Sequence, residues 1–126
     1  MIVFLSTWWG QVLVGMMLGV IAMLCHEFGH ALAAIALGVR IKKVAVGWHG
    51  LYIVRQAGSE WQNLLISLAG PAVNALLCVL WRWHFYFSLA NLCFAACNLL
   101  PISGSDGERA LRCWSRVRNR DGQGGD

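Results

Sequence analysis

The sequence predicts an all-α membrane protein with about three transmembrane helices and a small β-hairpin between the first and the second. Three observations carry that expectation. The 126 residues are 58% hydrophobic and 13% charged, too little polar material to cover the core of a soluble domain this small. Formal charge is missing from long runs: Glu27 is the single charged side chain from Met1 to Val39, and none occurs from Trp61 to Trp81 or from Trp83 to Gly104. Between the first two runs, Ile41 to Arg55 sets β-branched residues on both sides of Gly47 and Gly50.

A bilayer core of ~30 Å takes about 20 apolar residues in a helix. The charge-free runs therefore define spans at roughly 9–38, 61–82 and 84–101. The first run lacks the basic start of a signal peptide and continues past the usual length of one, so it is expected to be a retained helix. It ends at Gly38-Val39-Arg40. The hairpin, about 41–55, is expected to turn at Gly47-Trp48-His49-Gly50. Ser59 stands where it can cap the second helix, and only a few residues around Arg82 separate the second span from the third. After Pro101, PISGSDG reads as a loop, Glu108 to Arg118 as a short basic amphipathic helix at the cytoplasmic surface, and DGQGGD as a disordered end. The length suits one domain: residues 1–112 form the core and 113–126 a cytoplasmic basic tail.

Charge placement predicts an orientation. Arg40, Lys42, Lys43 and Arg55 follow the first span, Arg82 lies between the second and third, and five arginines from Arg109 to Arg120 follow the third. Three spans put nine of these on one side, which the positive-inside rule makes cytoplasmic, with the N-terminus outside. Trp8, Trp9, Trp81 and Trp83 then fall together at the outer interface. The net charge of +4 is thereby read as a topology signal, and no nucleic-acid partner is expected. The five cysteines form no CxxC pair and read as small apolar residues.

Three constellations carry chemistry. In His26-Glu27-Phe28-Gly29-His30, residues i and i+4 share one helix face, so two imidazoles can grip one metal ion. Glu27 stands beside them, placed to take a proton from an attacking water. A glutamate between two histidines in a membrane span is costly unless it is paired or serves a metal. A catalytic zinc needs a third protein ligand and an open position. Asp106, in NLLPISGSDG, is the candidate, because Pro101 and Gly104 interrupt the third span and let the backbone fold inward. On spacing alone, a solvated aspartate in a surface turn stands equally beside that reading. In Gly70-Pro71-Ala72-Val73-Asn74, the glycine and proline permit close packing and a kink. Asn74 is either an interhelical hydrogen-bond partner or a donor to the substrate carbonyl or developing oxyanion.

HEFGH, then GPAVN, then NLLPISGSDG, in that order on successive spans, resemble the site-2 protease family of intramembrane zinc metalloproteases, whose signatures HExxH and NxxPxxxxDG are both matched. The resemblance covers roughly residues 20–112. It implies one Zn2+ per chain on His26, His30 and Asp106, with Glu27 as general base and Asn74 in the active site. It also implies cleavage of transmembrane segments of other proteins, with a β-strand near the site holding the unwound substrate; the hairpin at 41–55 is the matching candidate. Glu108 departs from the family pattern, where a second glycine often follows the DG pair.

The function expected is thus an intramembrane zinc endopeptidase in a lipid bilayer, by analogy a prokaryotic plasma membrane, acting on a transmembrane protein substrate. Regulation would come from a homo-oligomer or a membrane partner. The rivals are a non-enzymatic metal-binding membrane protein, which has no need of Glu27, and a pseudoprotease that only binds substrate. The almost wholly apolar stretch 10–24 speaks against a metal transporter.

Overall fold

Each helix starts or stops where the sequence supplies the local chemistry. The computed structural model describes residues 7–47 and 50–123. Helix α1 (Trp8–Ala36) begins after Thr7, whose hydroxyl oxygen accepts from the Gly10 N–H at 3.2 Å. It stops before Gly38, which takes a left-handed φ of 71° that a side chain would resist. Strands β1 (Ile41–Gly47) and β2 (Gly50–Arg55) pair antiparallel with Gly47 opposite Gly50, the hairpin expected. The expected turn residues Trp48 and His49 lie outside the described residues. Helix α2 (Glu60–Leu80) opens with a full capping box between Ser59 and Gln62. Helices α3 (Phe85–Leu99) and α4 (Asp106–Gln123) complete the described chain.

Helices α1 and α2 pack antiparallel through small residues, which let backbones approach where lipid supplies no hydrophobic drive to associate. A Cβ on Gly29 would stand 2.9 Å from the Ala69 carbonyl oxygen and 2.9 Å from a Val73 methyl. Along the same seam, Ile66 packs with Ala34 and Val39, and the Gln62 amide donates to the Leu37 carbonyl at 2.9 Å. Helix α3 returns along α2, tied by the Ser88 hydroxyl donating to the Cys78 carbonyl at 3.0 Å. Helix α4 lies across the start of α2. Its Ala110 and Cys113 bury with Leu64, the Trp61 and Trp114 rings meet edge-on at 6.1 Å, and Arg116 pairs with Glu60 at 3.3 Å. The hairpin and α4 therefore share one end of the bundle, and nine of the ten basic residues gather there.

Among the described residues, two helices, α1 and α2, are long and apolar enough to cross a membrane. Only 17% of the α1 window and 33% of the α2 window are buried, whereas a core helix of a soluble protein would be mostly enclosed. Val20, Phe28, Ile35, Leu76 and Val79 all point outward, as lipid-facing residues would.

Among the described residues two helices rather than the expected three are long and apolar enough to be candidate spans, although the shorter α3 still returns the chain to the end that carries the hairpin. Helix α3 has 15 residues, or about 22 Å at ~1.5 Å per residue, short of the ~30 Å hydrocarbon core. The apolar run 84–101 was measured by its lack of charge, but its end is not helical. Leu100, before Pro101, is extended (φ −63°, ψ 135°), as a residue preceding proline prefers. The second correction concerns α4. It runs from Asp106 to Gln123 rather than from Glu108 to Arg118, so that Asp121 to Gln123, read from the sequence as part of a disordered end, are helical. Its start is fixed by Ser105, whose hydroxyl accepts from the Glu108 N–H at 3.2 Å, while the Glu108 carboxylate accepts from the Gly104 N–H at 2.7 Å.

Candidate functional site

Three side chains from two distant segments meet inside this bundle. His26 and His30 stand one turn apart on the face of α1 that packs against α2. Asp106 opens α4 and is brought to them by the turn after α3. The Asp106 Oδ2 lies 3.0 Å from His26 Nε2 and 3.0 Å from His30 Nε2, and the two nitrogens are 3.1 Å apart. His26 and Asp106 are buried. The solvated-turn alternative for Asp106 is thereby excluded.

The triangle has the chemistry of a metal cradle. His30 Nδ1–H donates to the Ile66 carbonyl at 2.6 Å, which in the neutral ring leaves Nε2 as a lone pair. That lone pair faces a carboxylate oxygen and a second imidazole nitrogen. A proton on His26 Nε2 or a cation at the centre joins the three atoms, and burial of the set favours either over an empty triangle. Zinc with nitrogen and oxygen ligands at about 2.0–2.1 Å has tetrahedral edges of about 3.3 Å, so the three atoms are within a few tenths of an ångström of that spacing. Burial works against the Asp106 charge, but when the imidazole nitrogens that face it carry protons, hydrogen bonds from His26 and His30 hold its carboxyl well below the usual carboxylate range; a metal ligand is likewise ionised.

The neighbouring helix leaves room for this cluster only because residue 70 has no side chain. A Cβ on Gly70 would stand 2.8 Å from His26 Nε2 and closer still to the His30 ring. Gly107 plays a similar part at the start of α4, where a Cβ would run into the Leu99 carbonyl. Pro71 has no N–H, which frees the Ser67 carbonyl from its helical partner, and Ser67 lies on the wall of the site.

A cavity of ≈660 Å³ opens over the triangle. Glu27 lines it, with a carboxylate oxygen within 4.8 Å of the histidine ligand atoms. His26, Glu27 and His30 are thus also close enough to share an ion, while the Asp106 Oδ2 at 3.0 Å is the carboxylate in direct contact with both rings. From β2, Leu51, Ile53 and Arg55 reach the same cavity, and from α4 so does Arg109.

Asn74 does not join them. It is fully buried, its Nδ2 donates to the Ala22 carbonyl at 3.2 Å, and it is absent from the cavity wall. Of its two sequence readings, the interhelical one is seen in this bond from α2 to α1, while the Asn74 Oδ1 is buried with no hydrogen-bond partner among the described residues. Gly70, Arg55 and Arg109 were not expected at the site. Gly70 carried a signal, since a glycine inside a helix lowers its stability and is kept where a backbone must come close. The two arginines carried none beyond their part in the charge asymmetry.

The profile of the family described as Peptidase M50B-like matches residues 1–101, a stretch that holds His26, Glu27 and His30 and stops short of Asp106. The protein named "Putative zinc metalloprotease sll0528" from Synechocystis sp. is 31% identical over 58 residues, covering 44% of this chain and 15% of its own length. "Putative zinc metalloprotease Rip2" of Mycobacterium tuberculosis is 29% identical over 140 aligned positions, covering 74% of this chain and 54% of its own length. The chain thus spans about half of one relative and a smaller part of the other. No solved structure matches the chain. The profile match takes in most of the chain, including the two histidines that meet over Gly70, and on that ground the chain belongs to the Peptidase M50B-like family, that of the membrane-associated site-2 proteases.

Proposed function

We propose that this chain is an intramembrane zinc endopeptidase, hydrolysing peptide bonds in or near transmembrane segments of other membrane proteins. The observation that carries the reading is the triangle of His26 Nε2, His30 Nε2 and Asp106 Oδ2 at 3.0–3.1 Å, with Glu27 on the wall of the cavity above it. His26, His30 and Asp106 would hold the ion. A zinc ion bound there supplies a Lewis acid that polarises the scissile carbonyl and eases ionisation of water. Glu27 receives the proton of the attacking water and passes it to the leaving amine. Leu51 and Ile53 bring the hairpin to the cavity, and the edge of β2 away from β1, which no strand pairs with among the described residues, can take an unwound substrate segment as an added strand. In this reading the end bearing the hairpin and α4 faces the cytoplasm of a prokaryotic plasma membrane, in keeping with its nine basic residues. The remaining partners are lipid, the transmembrane substrate, and a second copy or regulatory membrane protein.

The first test needs no substrate. Zinc is measured in the detergent-purified protein and in His26→Ala, Asp106→Ala and Glu27→Gln. The expected result is one zinc per chain, lost in the first two variants and kept in the third. Zinc retained without Asp106 refutes the ligand set, and no zinc in the wild type after resupply refutes the metalloprotease. With a cleavable substrate, Glu27→Gln should abolish hydrolysis while keeping the metal; persistent cleavage removes Glu27 from the mechanism.

A further inference from the structure

Two guanidinium groups border the site cavity, and the site reading leaves their charge unused. Arg55 ends β2, and its Nη1 donates to the Asn63 Oδ1 at 2.6 Å, while the Asn63 amide is itself held by the Gly58 carbonyl at 2.9 Å. Arg55 is therefore half-buried and pre-oriented by a neutral partner. Arg109 comes from α4, one turn beyond Asp106, with a largely exposed side chain. Both line the cavity that contains His26, Glu27, His30 and Asp106.

The charge balance decides what they are for. Among the described residues, Arg55 has no carboxylate partner, and Arg109 has only the Asp106 Oδ1 at the outer limit of 4.0 Å. The Asp106 charge is directed at the histidine cluster. Asp106 and Glu27 together balance one divalent ion, so both arginine charges remain over. Two cations converging on one cavity repel each other; burial and the neighbouring Arg109 both lower the Arg55 pKa. A ligand anion relieves that repulsion, and a planar guanidinium fork matches a carboxylate.

We propose that Arg55 and Arg109 form an anion subsite at the mouth of the cavity, which takes a carboxylate of the peptide substrate on the hairpin side of the bond to be cut. The carboxylate is an aspartate or glutamate side chain, or the free C-terminus of the peptide. The ligand in this inference rests on the peptidase reading. The subsite makes the protein select apolar segments followed by an acidic group, rather than any helix that can unwind. Arg55 sets the position of that group, and Arg109, at the open edge, steers it in.

The test separates binding from cleavage. Dye-labelled apolar peptides that differ by one Glu or Gln after the apolar run, each with a free or an amidated C-terminus, are titrated against zinc-loaded Glu27→Gln protein in neutral detergent. Binding is read by fluorescence anisotropy. The preference for a carboxylate over its amide should be about tenfold, as a charge-assisted hydrogen bond is worth, and should shrink as salt is raised. Loss for the Glu-to-Gln peptide assigns a side-chain ligand, and loss on amidation assigns the C-terminus. Arg55→Gln and Arg109→Gln should each reduce the preference and the double variant should remove it, while Arg55→Lys keeps part of it. Arg109 is exposed, so its variant reports even if Arg55→Gln does not fold, and zinc content checks both. Equal binding of all four peptides, or a preference that survives in Arg109→Gln and in the double variant, overturns the subsite. Wild-type protein that cleaves all four peptides equally keeps the peptidase and loses the subsite. Selective binding without any cleavage does the reverse.

Discussion

Replacing Gly70 by alanine adds one methyl group to α2 at the point where the helix faces the two histidines. Non-bonded carbon contacts settle at about 3.5–4.0 Å, whereas the new Cβ would lie 2.8 Å from His26 Nε2 and nearer still to the His30 ring. Something must move by more than half an ångström. The His30 ring is tethered through Nδ1 to the Ile66 carbonyl at 2.6 Å, and α1 is already in tight contact with α2 at Gly29. Relief therefore comes either from swinging the imidazoles out of the triangle or from prising the helices apart. Overpacking of this kind costs about 1–3 kcal/mol, and misorienting ligands typically costs 10–100-fold in metal affinity. The zinc dissociation constant of Gly70→Ala should therefore rise by about 10–100-fold.

Competition with a chromophoric chelator measures that constant, and far-ultraviolet circular dichroism checks that the helices persist. Gly19→Ala is the control, since an added Cβ there meets nothing within 4 Å. In that variant the exchange should favour the helix by up to about 1 kcal/mol and leave zinc binding alone. If Gly70→Ala binds zinc as the wild type does, the space beside Gly70 is not a metal cradle, and the argument that the three donors await a cation fails.

Three further outcomes follow from the same geometry. Gly29→Val should lower stability by about 1–3 kcal/mol, because its side chain meets the Ala69 carbonyl and Val73; unfolding in a denaturing detergent series measures it, and an unchanged midpoint contradicts the close packing of α1 on α2. Asn74→Ala should cost about 1 kcal/mol of stability through the lost bond to the Ala22 carbonyl, with zinc affinity and the turnover of properly folded protein little changed; a collapse of turnover at full zinc occupancy would restore Asn74 to the active site. Hydrogen bonds from Arg112 and from the Gly104 N–H hold the Glu108 carboxyl below its ordinary value of 4.5. A depressed carboxylate stabilises the fold above its unfolded pKa and loses that contribution as pH falls through its folded pKa. The turn at Gly104 should therefore stay protected at neutral pH and loosen only as pH falls below the ordinary glutamate value of 4.5, with Glu108→Gln insensitive over that range; amide exchange at Gly104 reads this directly.

What the sequence made legible is what local chemistry determines. HExxH specifies two imidazoles on one face because helix geometry is fixed at 3.6 residues per turn, and the structure puts His26 and His30 there. The hairpin was readable from β-branched residues around Gly47 and Gly50, and the start of α2 from Ser59. Where the reading went wrong, the signal was present in a different form. A stretch without charges overstates the length of a span where Pro101 disfavours helix at Leu100. Ser105 followed three residues later by Glu108 has the spacing of a capping box, and it places the first helical residue at Asp106. That one position matters chemically. At the head of a helix, the aspartate sits at the positive end of the dipole, which favours its ionised form, and it is held by a rigid element instead of a loose loop. Glu108, which departs from the family pattern, is the residue that closes this turn. Long-range approach was the part local reading could not reach: nothing in the neighbourhood of Asn74 says that its partner is the Ala22 carbonyl, and nothing near Arg55 or Arg109 says that they meet at one cavity. The bare backbone at Gly70 joins the two levels, because a glycine that weakens its own helix is stable there only if the neighbouring helix uses the space, and here the neighbour fills it with both histidines.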